Sequence, residues 1–332
     1  MRLSVGKIVK LLTTIGILSA LFVLIGMATF GGRFNILINP SYASPFLLEE
    51  PVCHATGTGK VEIKLSVTDD DLERLSATNS IAHGGLFTPH GCTPSQRVAV
   101  ILPMRDREEH LRIYLNHMHP ILQTHGIMYQ IFVVEQIRDE SLFNRGKLFN
   151  VAVEQILNMG VWDCLILSDI DLLPEDNRLT YTCKDKPQHI GYKINKFRYR
   201  LLYPVFLGGV IAMTPESYVK VNGFSNHYWG WGGEDDEFGR RVISTTGLDR
   251  PNSEFNHFTM IKHRHDEKNW HTGYGCRNYM CEHYKHRQFT DGLNSLRKSV
   301  VIEEKSLFTH IIADLKYDEI EKEKVNKLCR GH

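Results

Sequence analysis

The sequence predicts an α/β fold built on a mainly parallel sheet, and three observations carry that prediction. First, RVAVILPM (97–104), YQIFVVEQ (129–136) and DCLILSDIDLLP (163–174) are mostly apolar and rich in β-branched residues, as expected of strands buried on both faces. Second, helical stretches fill the gaps. Leu111, Tyr114, Leu115 and Met118 recur at helical spacing in the first, and NRGKLFNVAVEQILNMG (144–160) ends at a glycine suited to a C-cap. Third, strand and helix alternate, the pattern of parallel strands joined by right-handed crossovers. Such sheets bind ligands beyond the carboxyl ends of their strands. Two of those ends carry polar groups, MRDR after the first strand and SDID in the third.

The chain before this region is organised differently. Residues 11–30 contain no charged side chain, and at about 1.5 Å per residue they reach about 30 Å, one hydrocarbon core. Arg2, Lys7 and Lys10 precede the stretch and Arg33 alone follows closely, which keeps residues 1–10 cytoplasmic. A cleaved signal peptide is the rival, but its apolar stretch is shorter, about 7–15 residues. The expected organisation is a tail (1–10), a signal anchor (11–30), a stem leading into the lumenal domain (31–90) and a lumenal domain (91–332). A net charge of +1 excludes a strongly basic nucleic-acid surface, and 42% hydrophobic with 23% charged residues is a globular composition. In an oxidising lumen the seven cysteines suggest disulfides with one left over. Zinc is the alternative for Cys276 and Cys281, which lie near His271, His283 and His286, although the spacing matches no common zinc module.

Four groups of residues have chemistry to offer. On a regular strand Asp169 and Asp171 point the same way, and two carboxylates on one site call for a hard divalent cation. Met260 and His263 stand three apart, and the imidazole is a common metal ligand while the thioether is a soft one. Arg105, Arg107 and Arg145 lie near strand ends and helix starts, where phosphate is bound. YWGWGGEDDEFGRR (228–241) sets Glu234, Asp235, Asp236 and Glu237 behind a glycine-rich loop with two tryptophans. Each group is weak evidence alone. Together they supply what is needed to displace a nucleoside diphosphate from a sugar: cations for the diphosphate and a carboxylate to deprotonate an incoming hydroxyl.

VAVILPMRDREEHL, FNRGKLFNVA, CLILSDIDLLP, LGGVIAMT, NGFSNHYWGWGGEDDEFGRR, MIKH and DGLNSL occur in that order between about Cys92 and Leu296. In these motifs the sequence resembles the β-1,4-galactosyltransferase family. The resemblance implies a single-pass type II Golgi membrane protein with an A-type nucleotide-sugar fold. It also implies Mn2+-dependent, inverting transfer from a UDP-hexose to a glycan acceptor on a glycoprotein or glycolipid. Carried over by position, Asp171, Met260 and His263 resemble metal ligands. Pro103, Arg105, Arg107, Phe143, Arg145, Asp169, Asp171 and Lys196 resemble the donor-binding set, and Trp231 a mobile tryptophan that moves over the donor. Asp235 resembles the catalytic base, assisted by Glu234. Tyr203, Phe206, Gly232, Gly233, Glu234 and Asp236 belong with the acceptor, the further carboxylates gripping sugar hydroxyls. Cys53–Cys92 and Cys164–Cys183 match the family's two disulfides.

Three departures qualify the resemblance. Met104 stands where many members have Phe. Phe206 stands where galactose users have Tyr and N-acetylgalactosamine users a smaller aliphatic residue; its bulk favours UDP-galactose, with UDP-N-acetylgalactosamine as the alternative donor. The segment 270–290 is longer than in typical members and adds the pair Cys276 and Cys281, expected as a third disulfide. N-acetylglucosamine is the default acceptor, with glucose and xylose as the alternatives. A glycan-binding protein without turnover is the reading from another class, but it predicts loss of a metal ligand or of the base, and all are present.

Overall fold

The computed structural model describes residues 50–262 and 274–330. The expected tail, the anchor 11–30, the first part of the stem and His263 lie outside the described residues. Among the described residues no helix is long and apolar enough to cross a membrane.

The elements follow the chain as α1 (Asp69–Thr78), β1 (Leu86–Phe87), β2 (Arg97–Met104), α2 (Glu108–Gln123), β3 (Met128–Gln136) and α3 (Arg145–Met159). There follow β4 (Cys164–Ser168), β5 (Leu172–Pro174), β6 (Gln188–His189), β7 (Lys193–Ile194), β8 (Val210–Met213), α4 (Pro215–Lys220) and α5 (Glu234–Thr245). The last are β9 (His257–Met260), α6 (Tyr274–Glu282), α7 (Tyr284–Arg287), β10 (Ser299–Glu304), β11 (Thr309–Asp314) and α8 (Glu319–Cys329).

The main sheet runs β10-β11-β3-β2-β4-β8-β6, with β1 also paired to β3. Its centre is parallel, β11 with β3, β3 with β2 and β2 with β4. The outer pairings, β10 with β11, β4 with β8, β6 with β8 and β1 with β3, are antiparallel. The sheet is therefore mixed, a correction to the mainly parallel expectation. Crossover helices read from the sequence cover only the three central strands, and the antiparallel outer strands need none.

The apolar runs behave as predicted because both faces of the sheet are covered. Val98, Val100, Leu102 and Met104 of β2 pack in one core with Leu111, Tyr114, Leu115 and Met118 of α2. Ala99 and Ile101 point the other way, into a second core with Leu148, Phe149 and Ile156 of α3. The alternation of β2 is thus between two apolar cores and not between core and water.

The third predicted strand differs. It ends at Ser168, the chain turns with the Leu172 N–H donating to the Asp169 carbonyl at 3.3 Å, and β5 joins a second sheet of order β5-β9-β7. Asp169 and Asp171 thus sit in a turn between two sheets, not on a regular strand.

Disulfides join Cys53 to Cys92 and Cys164 to Cys183, as the resemblance implied. The third does not join Cys276 to Cys281. Both lie on α6, and residues five apart on a helix point about 140° apart, beyond disulfide reach. Cys276 is bonded instead to Cys329 of α8, and Cys281 is a buried free thiol.

Candidate active site

The carboxyl ends of β2 and β4 and the start of α3 open onto one cleft. Pro103, Met104, Arg105, Arg107, Phe143, Arg145, Asp169, Ile170 and Asp171 line it. α3 begins there because Asn144 caps it, its side chain accepting from the Lys147 N–H at 2.9 Å, and Arg145, the first residue of the helix, lines the cleft. Arg105 is braced at its rim: it donates to the Ser141 carbonyl at 2.8 Å, and its guanidinium lies 5.7 Å from the centre of the Phe143 ring.

Arg145 is the hinge of the arrangement. Its Nε donates to Asp169 at 2.6 Å, and its Nη1 lies 3.6 Å from Glu234 on the far side of the cleft. Its guanidinium sits over Phe149, 4.8 Å from the ring centre. Both terminal nitrogens are buried and have no hydrogen-bond partner among the described residues, and Glu234 Oε2 is in the same condition. Buried donors and acceptors are almost always satisfied, so these orphaned atoms face the place where a polar ligand belongs. Asp169 is fixed from two directions, since its second oxygen accepts from the Gly209 N–H at 3.2 Å.

Asp171 and Met260 are neighbours across the second sheet. Leu172 pairs with Met260, and the Asp171 carbonyl accepts from the Ile261 N–H at 2.8 Å. Asp171 is buried, and its hard oxygen ligands at the lip of the cleft fit a divalent ion. Lys196 does not line the cleft. It is exposed in the turn after β7, which Asn195 ties to β9 by accepting the Met260 N–H at 3.1 Å.

The acidic run is the first turn of α5, where carboxylates are favoured by the helix dipole. Gly230, Gly232 and Gly233 lead into it at φ of 86°, 105° and 95°, left-handed values that only glycine takes without strain. Burial pushes Asp235 well above the ordinary carboxylate range, and Glu234 and Asp236 push it the same way, while Arg145 opposes them. Burial also raises Asp236, and the Tyr203 hydroxyl hydrogen-bonded to it pulls the other way. Gly208 makes room for the group: a Cβ there would lie 2.9 Å from Asp235 Oδ2 and 2.9 Å from Phe206 Cε2. Phe206 is therefore beside the Asp235 carboxylate, with Tyr203 edge-on to it at 5.7 Å between ring centres. Trp231 is 54% exposed, whereas Trp229 is buried, its Nε1 donating to Glu321 at 3.3 Å.

Glu237 does not join the other three carboxylates. It turns into the protein, where it accepts from Arg241 at 2.6 Å, from the Tyr228 hydroxyl at 2.7 Å and from Arg287. Asp291 completes this buried network, bonded to Arg287 at 2.7 Å and to Ser225 at 2.5 Å. The sugar-gripping role expected of the further carboxylates does not extend to Glu237, because a helix turn sends the fourth residue of the run to the core face. Arg241 sits one turn on at i+4, and that spacing was the available signal. Arg277, Arg287 and Glu321 carried no such local signal.

Two family models match the chain. The N-terminal region of glycosyl transferase group 7 covers residues 50–184, and the N-terminal domain of galactosyltransferase covers 188–264. β-1,4-Galactosyltransferase 3 of Rattus norvegicus is 40% identical over 278 residues, 83% of this chain and 67% of that protein. β-1,4-Galactosyltransferase 2 of Homo sapiens is 41% identical over 249 residues, 74% and 66% of the two chains. The chain thus spans about two thirds of the length of these relatives. Among solved structures, the catalytic domain of Drosophila β-1,4-galactosyltransferase 7 with xylobiose superposes at a TM-score of 0.59 and 28% identity, covering 69% of this chain and 98% of that one. A mutant of the same enzyme, solved with manganese, UDP-galactose and xylobiose, matches at the same TM-score and 27% identity.

Proposed function

This chain belongs to the β-1,4-galactosyltransferase family, and from that premise we propose that it moves galactose from UDP-galactose, with inversion, to the 4-hydroxyl of a terminal N-acetylglucosamine on a glycoprotein or glycolipid. The observation that carries the reading is Arg145, whose one guanidinium joins the cleft to the acidic turn while its two buried terminal nitrogens have no hydrogen-bond partner among the described residues.

Each part of the site then has a task. Arg105, Arg107, Arg145 and the first N–H groups of α3 hold the diphosphate, and Pro103, Met104 and Phe143 form the apolar side of the donor cleft. Lys196 is assigned to the donor by the family pattern alone. Asp235 takes the acceptor proton as the hydroxyl oxygen bonds to the anomeric carbon. The bond from that carbon to the phosphate oxygen breaks with its electrons leaving on UDP, and one in-line displacement inverts the centre. Burial suits Asp235 to the task, since a raised pKa brings a carboxylate nearer to the pH at which it must accept a proton. Glu234, Asp236, Tyr203 and the Gly232–Gly233 backbone hold the acceptor, and Trp231 covers the reaction from water. Asp171, Met260 and His263 would hold Mn2+, which when bound supplies positive charge against the departing diphosphate.

Phe206 supports galactose as the sugar transferred. Its ring edge shares the space at Gly208 with the Asp235 carboxylate, so a 2-N-acetyl group in that space would meet a full aromatic ring. The same residue lacks the hydroxyl of the galactose users and keeps UDP-N-acetylgalactosamine as the second reading. We further propose that the domain works in the Golgi lumen behind an anchor at 11–30, a reading supported by the family pattern and by the uncharged stretch 11–30. Transfer by the full chain, with Mn2+ and N-acetylglucosamine and with the two donors in parallel, tests the reading. Product from UDP-galactose, sensitive to a β-1,4-specific galactosidase, is expected. Preference for the N-acetylated donor would establish the second reading, and donor binding without product would remove N-acetylglucosamine as the acceptor.

A further inference from the structure

The loop that carries Trp231 is held from outside the sheet. Arg277, on α6, donates from Nη1 to the Trp231 carbonyl at 3.0 Å. One turn along, on the same face of the helix, Cys281 donates its thiol to the Gly233 carbonyl at 3.4 Å and lies 3.4 Å from the Tyr228 hydroxyl. Burial pushes the Cys281 thiol up to about 12, so it serves as a protonated donor and not as a nucleophile. The loop rests close on this face: a Cβ on Gly232 would come within 2.6 Å of Arg277 Nη1, and one on Gly233 within 3.6 Å of Arg277 Cβ.

α6 is itself anchored. Cys276, adjacent to Arg277, is disulfide-bonded to Cys329 at the end of α8. α8 in turn supplies Glu321, whose carboxylate accepts from Trp229 Nε1 at 3.3 Å and lies 2.8 Å from His227 Nδ1. The loop is thus gripped on the Trp229 side by α8 and on the Trp231–Gly233 side by α6, and the disulfide joins the two holders.

We propose that the α6–α8 pair is a clamp that sets the Trp231 loop and the acidic turn for the acceptor, with Arg277 as its positioning residue. The proposal rests on the acceptor reading of Glu234, Asp235 and Asp236 given above. Gly230, Gly232 and Gly233 have no side chains with which the loop can pack, so its position depends on donors that reach its carbonyls. Two of those carbonyls, Trp231 and Gly233, are taken by α6. Fixing them fixes the direction in which the first turn of α5 leaves the loop, and hence where its carboxylates stand. The residues that line the donor cleft come from β2, the start of α3 and the turn after β4, and the loop meets them at one point, where the Gly230 N–H donates to the Phe143 carbonyl at 2.8 Å. The clamp therefore acts mainly on acceptor binding, and reaches the donor only through Trp231 and the Gly230–Phe143 bond.

The test is steady-state kinetics of the full chain with UDP-galactose and N-acetylglucosamine, comparing Arg277→Ala, Arg277→Lys and the double variant Cys276→Ser with Cys329→Ser. Arg277→Ala is expected to raise the acceptor KM about tenfold, the effect of one lost charge-assisted hydrogen bond, with a clearly smaller rise in the donor KM. Arg277→Lys keeps a donor that reaches the carbonyl and should recover most of the loss. The serine pair should reproduce the rise in acceptor KM. An unchanged acceptor KM in folded Arg277→Ala overturns the proposal. So does an equal rise in both KM values, or a lysine variant no better than alanine. Full transfer by Asp235→Asn, run alongside, would instead overturn the functional reading on which the clamp depends.

Discussion

The two walls of the cleft are built by different physics. The donor wall is made of strand ends and one helix start, and its residues are placed by the register of a sheet whose central strands are buried on both faces. The acceptor wall is a single helical turn, held by a buried ion network, a disulfide and hydrogen bonds to loop carbonyls. The first is fixed by the core itself. The second rests on long-range polar contacts at its first turn, while Phe238 and Val242 further along α5 join the second core.

The largest expected effect tests whether the acceptor wall performs the chemistry. Asp235→Asn keeps the size and polarity of the side chain but cannot take a proton. Transfer should fall about 1000-fold, the usual range for a general base, while UDP binding by calorimetry stays near that of the parent. Comparable loss of both would mean that the two walls are not separable.

Next in size is the buried network behind the acceptor wall. Arg241→Leu leaves Glu237 and Asp291 buried without one of their cations, and stranding a buried charge costs about 3 kcal/mol or more. The melting temperature should drop by about 6 °C or more. Replacing a surface ion pair such as Lys322 with Glu319 should scarcely move it. A small change in the Arg241 variant would mean that the acceptor wall rests on the disulfide and not on the ion pairs.

Arg145→Ala attacks the one group shared by both walls. It removes the bond to Asp169 and the ion pair to Glu234, and truncating a buried charged partner costs about 2–3 kcal/mol, roughly 100-fold. Donor affinity should weaken by that amount and kcat should fall as well, because Glu234 loses its cation. If only donor affinity changed, Arg145 would belong to the donor wall alone.

The same division explains what the sequence made legible. The donor wall was readable because strands, caps and the residues at their ends are neighbours in sequence. RVAVILPM gives both the strand and the arginine just past it, and FNRGK gives both the cap of α3 and Arg145. The turn at Asp169–Asp171 was misread as strand, because apolar residues continue on both sides of it and the two aspartates fit a strand end as well as an Asp-rich turn. On the acceptor wall the carboxylates were visible as a run, but the inward turn of Glu237 depends on Arg287 and Asp291, which lie 50 residues or more away in sequence. The disulfide failed for a related reason. Cys276 and Cys281 are close in sequence, yet the helix that holds them separates their side chains, and the true partner, Cys329, comes from the far end of the chain.

The smallest effect is the most specific to the acceptor wall. Burial raises Asp235, and Glu234 is the next cause, ahead of Asp236. A base works only when deprotonated, so activity is lost as pH falls through its pKa, and a raised pKa puts that loss above the ordinary carboxylate range. Glu234→Gln removes the neighbouring charge that raises Asp235 most and leaves Arg145 to act on Asp169 and Asp235 only. Both changes favour the ionised carboxylate, so the acid limb of kcat/KM should move to lower pH, by about half a unit for a partly screened neighbour. The amplitude will also fall, since Glu234 belongs to the acceptor site, but amplitude and midpoint are separate readouts of one pH profile. A midpoint that stayed in place would mean that burial alone sets Asp235. A midpoint that rose would mean that another group carries the proton, and the base would then have to be sought on the donor wall.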